Sequence, residues 1–496
     1  MSSNTSNFGY EYTVNLCSAI EKLTENEEAL DSQVFFHKGA NLKFALERAL
    51  YSTYASSKNL FEIYEKWKMG VLPPVIRIGN LTEKKLAMIM TGASEEKFDT
   101  NDKKNIKKMA YFFIQNIFRV IFIDKIVSAE RRYYNYFSQK NNKAKTLFYV
   151  PNERFVWYTK PIFDSLPAPR SYITNNSKIE NILKEKKIPF VPNSVYFYSL
   201  EKLSKKNTLL KQFNVMQKYD LLYDSIKRIR PNKVIIADGG GSECEVVNQI
   251  CKRENIACVC IQQGWSPIIH NGFRNMSFSK MLVWGEKFSD LLRPYNPDQY
   301  FVATGSHIID SPKNNPKTSV RSISFFFQTT TIVLNDAGWQ EFLQLTHTVA
   351  EKFPQLTVII REHPAYPIGA EEKKKFEKRN NVVFMNPGKC NLSEVLTRSD
   401  LSVSIYSSVI LESIAAGVIP IIFNVTSYPR YFPDVEKAGA GLEVKNLDDA
   451  VDVIKILINN PKELEKFVTP MEEFRRQYFY ADKEQAIKNI VNEIMN

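Results

Sequence analysis

The pattern of apolar and polar positions changes character near residue 145. Before that point apolar residues recur at helical spacing over 42–68 and 105–137, and Leu72, Pro73 and Pro74 break the chain between the two stretches. A mostly helical N-terminal extension or insertion is therefore expected over 1–144. From Lys145 onward short β-branched or aromatic runs alternate with helical segments, the pattern of parallel βα units. Strands are predicted over 146–150, 170–174, 233–237, 257–262, 280–284 and 300–304, with helices over 179–187, 200–230, 242–255 and 286–293. Residues 307–321 hold two prolines and adjacent asparagines with little apolar content, which marks a linker. The alternation then restarts, with strands over 323–328, 356–361, 382–385, 401–405 and 419–424 and helices over 338–353, 392–398 and 408–416. Helices over 447–458 and 461–496 close the second unit, the terminal one crossing back towards the first half. The expected fold class is α/β: two Rossmann-like domains, 145–306 and 322–496, facing a cleft.

Composition adds limits. A chain of 496 residues exceeds what one core usually organises, and 44% hydrophobic with 24% charged residues is ordinary for globular protein. The net charge of +12 favours polyanionic surroundings, and residues 101–145 alone carry eleven Lys/Arg against three Asp/Glu. That stretch contains an aromatic-rich run from Tyr111 to Ile123, which reads either as a helix lying on an anionic membrane or as a buried helix with basic ends. It has no RNA-recognition or zinc-finger pattern, so nucleic acid is not an expected partner. No run is long and apolar enough for a bilayer crossing, and residues 1–11 lack an apolar signal region, so the expected location is cytoplasmic, with peripheral contact at the inner face of the cell membrane. The six cysteines show no C-x-x-C spacing and are read as small buried hydrophobes without a metal role.

In open α/β sheets ligands sit beyond the carboxyl ends of strands, and three such places carry chemistry. The first is Val234-Ile-Ile-Ala-Asp238-Gly239-Gly240-Gly241-Ser242-Glu243, where an acid and three glycines follow an apolar strand. Glycines allow close backbone approach to a bound group, and Asp238 would project into a cleft as base or nucleophile. A tight turn with Asp238 bonded to nearby backbone N–H groups is the plainer reading. The second is Gln262-Gln263-Gly264-Trp265 through His270, a post-strand loop whose imidazole would converge with Asp238. The third joins Arg361-Glu362-His363-Pro364 to Tyr406-Ser407-Ser408 and Glu412. Arg361 and His363 offer fixed donors to a phosphate, Ser407 and Ser408 open a helix whose N–H groups suit an anion, and Glu412 would reach a ribose hydroxyl. Taken singly, Ser407 and Ser408 read equally well as plain helix caps and Glu412 as part of a solvated face. Gln263 and Gln328, at further strand ends, join Gly239 and Gly240 as expected cleft residues.

With these residues in hand, the chain over 145–496 resembles the GT-B glycosyltransferases. The R-x-H-P strand end followed by a Ser-Ser helix start looks like the motifs of bacterial transferases that use CMP- or CDP-activated donors, and Pro151-Asn-Glu153-Arg154-Phe155 looks like their acceptor-side start. The order Glu153, Asp238, His270, Arg361/His363 is similar to the retaining β-Kdo transferases of lipopolysaccharide and capsule assembly. The resemblance implies CMP held by Arg361, His363, Ser407, Ser408 and Glu412, Asp238 as nucleophile, Glu153 as proton-transfer partner and His270 at the donor's carboxylate or phosphate. It implies a CMP-sugar as donor substrate with no cofactor and no metal, and a lipid-linked or oligosaccharide acceptor. Three glycines after Asp238 depart from the acidic pair of sialyl-type enzymes, so CMP-sialic acid, CDP-glycerol or a UDP-sugar stay open as donors. A UDP-GlcNAc 2-epimerase and a non-catalytic binding scaffold are the other readings of the same design.

Overall fold

The computed structural model of the chain describes residues 8–100, 145–191, 193, 208–309, 319–363, 366–388 and 390–496. The helix expected over 105–137, with its membrane-surface reading, lies outside the described residues, as do Pro364 and most of the expected linker. Among the described residues no helix is long and apolar enough to cross a membrane.

The N-terminal unit is helical, as its apolar spacing predicts: α1 (Gly9–Leu30), α2 (Lys43–Tyr54), α3 (Lys58–Lys68) and α4 (Leu81–Thr91). Two small strand pairs accompany them, β1 (Phe36–His37) with β2 (Ala40–Asn41) and β3 (Ile76–Ile78) with β4 (Phe98–Thr100). The single helix expected over 42–68 is two, because Ser57 accepts the Leu60 N–H and starts α3 afresh. Tyr12, Leu16, Leu50, Tyr64 and Leu86 form a core of this unit, against which Ile332 of the second sheet domain also packs, whereas Leu42 at the N-cap of α2 and Ala45 within it pack into the core shared with the sheets.

The first sheet contains β5 (Thr146–Tyr149), β6 (Arg170–Ile173), β7 (Phe190–Val191), β8 (Lys233–Ala237), β9 (Ala257–Ile261), β10 (Lys280–Val283) and β11 (Phe301–Ala303). They are connected through α5 (Glu153–Ser165), α6 (Ser177–Glu185), α7 (Thr208–Ile229), α8 (Ser242–Arg253) and α9 (Glu286–Leu292). All neighbours are parallel in the order β11-β10-β9-β8-β5-β6-β7, so the winding reverses between β5 and β8. That is the doubly wound design, whose ligand crevice opens at the reversal. Helix α5 is not among the predicted elements; Pro161 stands inside it and argues against a helix there.

The second sheet repeats the design with β12 (Ser322–Phe326), β13 (Thr357–Arg361), β14 (Val382–Phe384), β15 (Leu401–Ser404), β16 (Ile419–Phe423) and β17 (Leu442–Val444) in the parallel order β14-β13-β12-β15-β16-β17. Its helices are α10 (Asp336–Lys352), α11 (Ala370–Glu377), α12 (Leu392–Thr397), α13 (Val409–Ala415) and α14 (Leu447–Asn459). Reversal here falls between β12 and β15.

The stretch 461–496, expected as one closing helix, is three: α15 (Pro461–Glu465), α16 (Val468–Tyr478) and α17 (Lys483–Met495). The crossing back is present. Ile490 and Ile494 of α17 share a buried cluster with Phe148, Val156 and Leu282 of the first domain. Lys280 Nζ reaches Glu493 Oε2 at 2.9 Å, which fixes the same junction. His307, where the linker was expected to begin, is 1% exposed, with Nε2 2.8 Å from the Tyr158 carbonyl oxygen, so the first domain extends through it.

Candidate functional site

At the first reversal β8 ends and the chain turns left-handed for two residues, Asp238 at φ 74° and Gly239 at φ 73°. A left-handed aspartate costs on the order of 1–2 kcal/mol, and such strain collects at functional positions. The Asp238 N–H donates to the Ile261 carbonyl at 2.8 Å, which ties the turn to β9. Gly239 is required on two counts, its φ and the 2.7 Å that would separate an added Cβ from Cys260 Sγ. Burial raises the Asp238 carboxyl above the ordinary range, and the charges of Arg154 and Arg48 oppose that rise. The next acid, Glu243, is engaged elsewhere, by Lys218 at 2.5 Å and by the Tyr149 hydroxyl.

His270 converges on this turn as expected. A Cβ on Gly272 would lie 2.7 Å from the Gly240 carbonyl oxygen, so the His270 loop touches the glycines that follow Asp238. Nδ1 of His270 accepts the Gly272 N–H at 3.0 Å, and the ring stacks on Tyr51 at 4.5 Å and 9°. Burial lowers its pKa to about 4, helped by Arg274 and Arg48. The imidazole is consequently neutral near pH 7 and, with Nδ1 accepting, carries its proton on Nε2. Gln263 lies half-buried in the same loop, where the neighbouring Gln262 makes the structural bonds: its carbonyl accepts the Tyr158 hydroxyl and the Trp284 indole N–H.

Glu153 opens α5 beyond β5, exposed, with Trp157 Nε1 donating to it at 3.2 Å. Its neighbour Arg154, not Glu153, is the residue whose charge acts on Asp238.

At the second reversal Gln328 Oε1 accepts the Tyr406 N–H at 2.9 Å, clasping the ends of β12 and β15. Arg361 ends β13, and its Nη1 donates to the Met385 and Cys390 carbonyls at 3.2 Å each. Glu412 is 6% exposed, which overturns its solvated-face reading. Burial pushes its pKa to about 7, and Arg361 is the cation opposing the rise. His363 pairs by its backbone with Tyr366, and burial lowers its imidazole, so Arg361 carries the charge of the expected Arg361/His363 pair. Ser407 Oγ accepts the Val409 N–H at 3.3 Å as a capping side chain, and Ser408 holds the N-cap position without a side-chain cap bond.

The phenol of Tyr158, bonded to the Gln262 carbonyl, is raised by burial, and the charges of Asp238 and Glu412 add to the rise. Nearby, Trp265 Nε1 donates across the domains to the Phe432 carbonyl at 2.7 Å. The N-terminal unit forms a third wall. Tyr10 N–H donates to Ser427 Oγ at 2.7 Å and its ring meets Tyr428 at 5.6 Å, while Arg48 and Tyr51 reach the first rim.

Three residues at this site escape sequence reasoning, Arg48, Tyr51 and Tyr158, and Arg154 enters it only within the segment over 151–155, without a role. Of the three, Arg48 left a signal, since Glu47-Arg48 is a charged pair inside the apolar run from Phe44 to Tyr51.

No protein-family model and no curated protein matches the chain. Solved structures do align with it. UDP-GlcNAc 2-epimerase from Neisseria meningitidis, bound to UDP-GlcNAc, is 13% identical over 71% of this chain and 99% of its own, with a TM-score of 0.49. MurG of Acinetobacter baumannii is 12% identical over 71% of this chain and 98% of its own, TM-score 0.46. A glycosyltransferase from Rickettsia africae is 14% identical over 72% of this chain and 100% of its own, TM-score 0.44. With TM-scores below 0.5, the assignment of two Rossmann-like domains rests on the strand orders and registers above.

Proposed function

We propose that the chain is a glycosyltransferase that moves an acidic sugar, Kdo, from a CMP-activated donor onto a growing bacterial surface glycan. The observation that supports the proposal is the pair of strand ends at the two sheet reversals, Asp238 after β8 and Arg361 at the end of β13, in domains joined by the Trp265 Nε1 bond to the Phe432 carbonyl at 2.7 Å. Breaking the bond from an anomeric carbon to phosphate builds positive charge on the sugar beside a departing anion, so a carboxylate belongs near the carbon and donors near the phosphate. The first rim offers Asp238 and the neutral N–H donor His270; the second offers Arg361 and His363. The donor identity rests on the resemblance of the R-x-H-P and Ser-Ser motifs to those of CMP- and CDP-dependent enzymes.

In the proposed course Asp238 attacks the anomeric carbon while the carbon–oxygen bond to phosphate breaks and its electron pair leaves with CMP. The acceptor hydroxyl then displaces Asp238, restoring the carboxylate, and its proton passes to Glu153, exposed at the start of α5. Glu412, near its midpoint at neutral pH, suits hydrogen bonding to a ribose hydroxyl in either protonation state.

Thermal-shift titration of the whole chain with CMP, CDP, UDP and GDP tests the nucleotide, because a ligand bound only by the folded state raises the melting temperature. CMP is expected to give the largest shift, and a shift confined to UDP would transfer the proposal to a UDP-sugar donor. Epimerisation of UDP-GlcNAc without any acceptor would replace transfer by the epimerase reading.

A further inference from the structure

Helix α2 belongs to the N-terminal unit, outside both Rossmann-like domains, yet it delivers two side chains to the first rim. Arg48 is 2% exposed; its Nη1 donates to the Gly239 carbonyl at 2.8 Å and pairs with Glu245 Oε2 at 3.0 Å. Gly239 lies in the left-handed turn after β8 and Glu245 in the first turns of α8, so one guanidinium clamps both sides of the loop that carries Asp238. Glu245 is itself completely buried and held by Gln249 at 2.7 Å, so the anchor is fixed. Tyr51, three residues on and therefore on the same helical face, stacks on His270 at 4.5 Å. Helix α2 is tied down around this contact: Arg274 bonds Glu21 at 3.0 Å, and the Asn271 amide donates to the Cys17 carbonyl at 3.4 Å. These two bonds attach α1, which packs on α2, to residues flanking the His270 loop.

We infer that Arg48 and Tyr51 are positioning residues for Asp238 and His270, so that the N-terminal helical unit is a working part of the catalytic rim. Breaking a buried ion pair by removing one partner leaves the other charge uncompensated, whereas replacing both with apolar residues is often tolerated. The informative protein is therefore the full chain carrying Arg48→Met with Glu245→Leu, beside Arg48→Lys and Tyr51→Leu against Tyr51→Phe.

The inference rests on the proposed roles of Asp238 and His270, so its first readout avoids activity: hydrogen exchange of the peptide over 237–245, read by mass spectrometry. The double variant is expected to melt cooperatively, bind CMP with wild-type affinity and exchange at least tenfold faster in that peptide. With CMP-Kdo as donor, kcat should fall at least tenfold while KM for the donor stays within threefold, and Arg48→Lys should recover part of kcat. Tyr51→Phe, which keeps the stack, should resemble wild type, whereas Tyr51→Leu should lose kcat. A folded double variant with wild-type exchange over 237–245 would overturn the inference, whatever the wild-type chain does with CMP-Kdo. Wild-type protein that neither binds CMP nor turns over CMP-Kdo, with exchange accelerated in the double variant, would instead overturn the donor assignment and leave the clamp standing.

Discussion

The two sheets have the same strand order up to an extra edge strand in the first, yet they hold their strand-end acids on different backbones and among different neighbours. Asp238 sits on a left-handed turn with Arg48 and Arg154 opposing the effect of burial, whereas Glu412 sits within a helix with Arg361 alone and is raised to about 7. The same topology thus offers one carboxyl in a strained, clamped loop and another that is half protonated at neutral pH. Both acids are raised by burial, and their surroundings suit them to different tasks: attack or charge stabilisation for the first, hydrogen bonding to a hydroxyl for the second.

The sharpest way to break this comparison is at Asp238. Asp238→Ala is expected to lower transfer by about 10³-fold or more while CMP binding, measured by calorimetry, stays within twofold. An active Ala variant would remove the residue from the mechanism and make the two rims equivalent.

Glu412 tests the other side through pH. Because its folded pKa lies above the unfolded value, the stability it contributes is present below about pH 4.5 and is lost as pH rises through about 7. Glu412→Gln should therefore melt higher than wild type at pH 8 and equally at pH 4, a difference on the order of 3 kcal/mol. His270 shifts the opposite way: lowered to about 4, it favours the folded state above pH 6.5 and loses that contribution as pH falls towards 4. Equal melting of the Glu412→Gln variant and the wild-type chain at pH 8 would contradict the buried, raised acid.

Backbone strain separates the rims next. Gly239→Ala should cost about 2–3 kcal/mol in chemical denaturation, from its left-handed φ and the clash with Cys260. Gly369→Ala, at the start of α11 with open space around it, should stay within about 0.5 kcal/mol. A smaller effect than at Gly239 is expected at Arg361, where Arg361→Ala should weaken CMP about tenfold, roughly 1.4 kcal/mol. An unchanged isotherm would move the nucleotide away from this strand end.

Most of the α/β architecture was legible because buried parallel strands read as short apolar runs with an abrupt polar end, as at Val234 to Asp238 or Val358 to Arg361. Helix α5 was not, since a proline inside a helix defeats local rules while tertiary packing of Phe155, Val156 and Ile162 supports it. At the site, residues that terminate strands could be picked out by position alone, as Asp238 and Arg361 were. Arg48 and Tyr51 could not be connected to them, because a contact across 191 positions of chain, from Arg48 to Gly239, leaves no periodic trace. Glu412 was singled out by its place in the helix that follows Ser407 and Ser408, but its burial follows from α13 packing against the strands and α16, which no spacing rule supplies.

The return of α17 to the first domain bears on how the protein is made. All seven strands of the first sheet have been synthesised by residue 303, yet the apolar surface at Phe148, Val156 and Leu282 receives its partners Ile490 and Ile494 only after the whole second sheet has followed. Domains usually mature in the order in which they leave the ribosome. Here the earlier one must wait, greasy side uncovered, for a cover strip translated nearly two hundred codons later, so nascent chains halted between the two are the species a holding chaperone should meet.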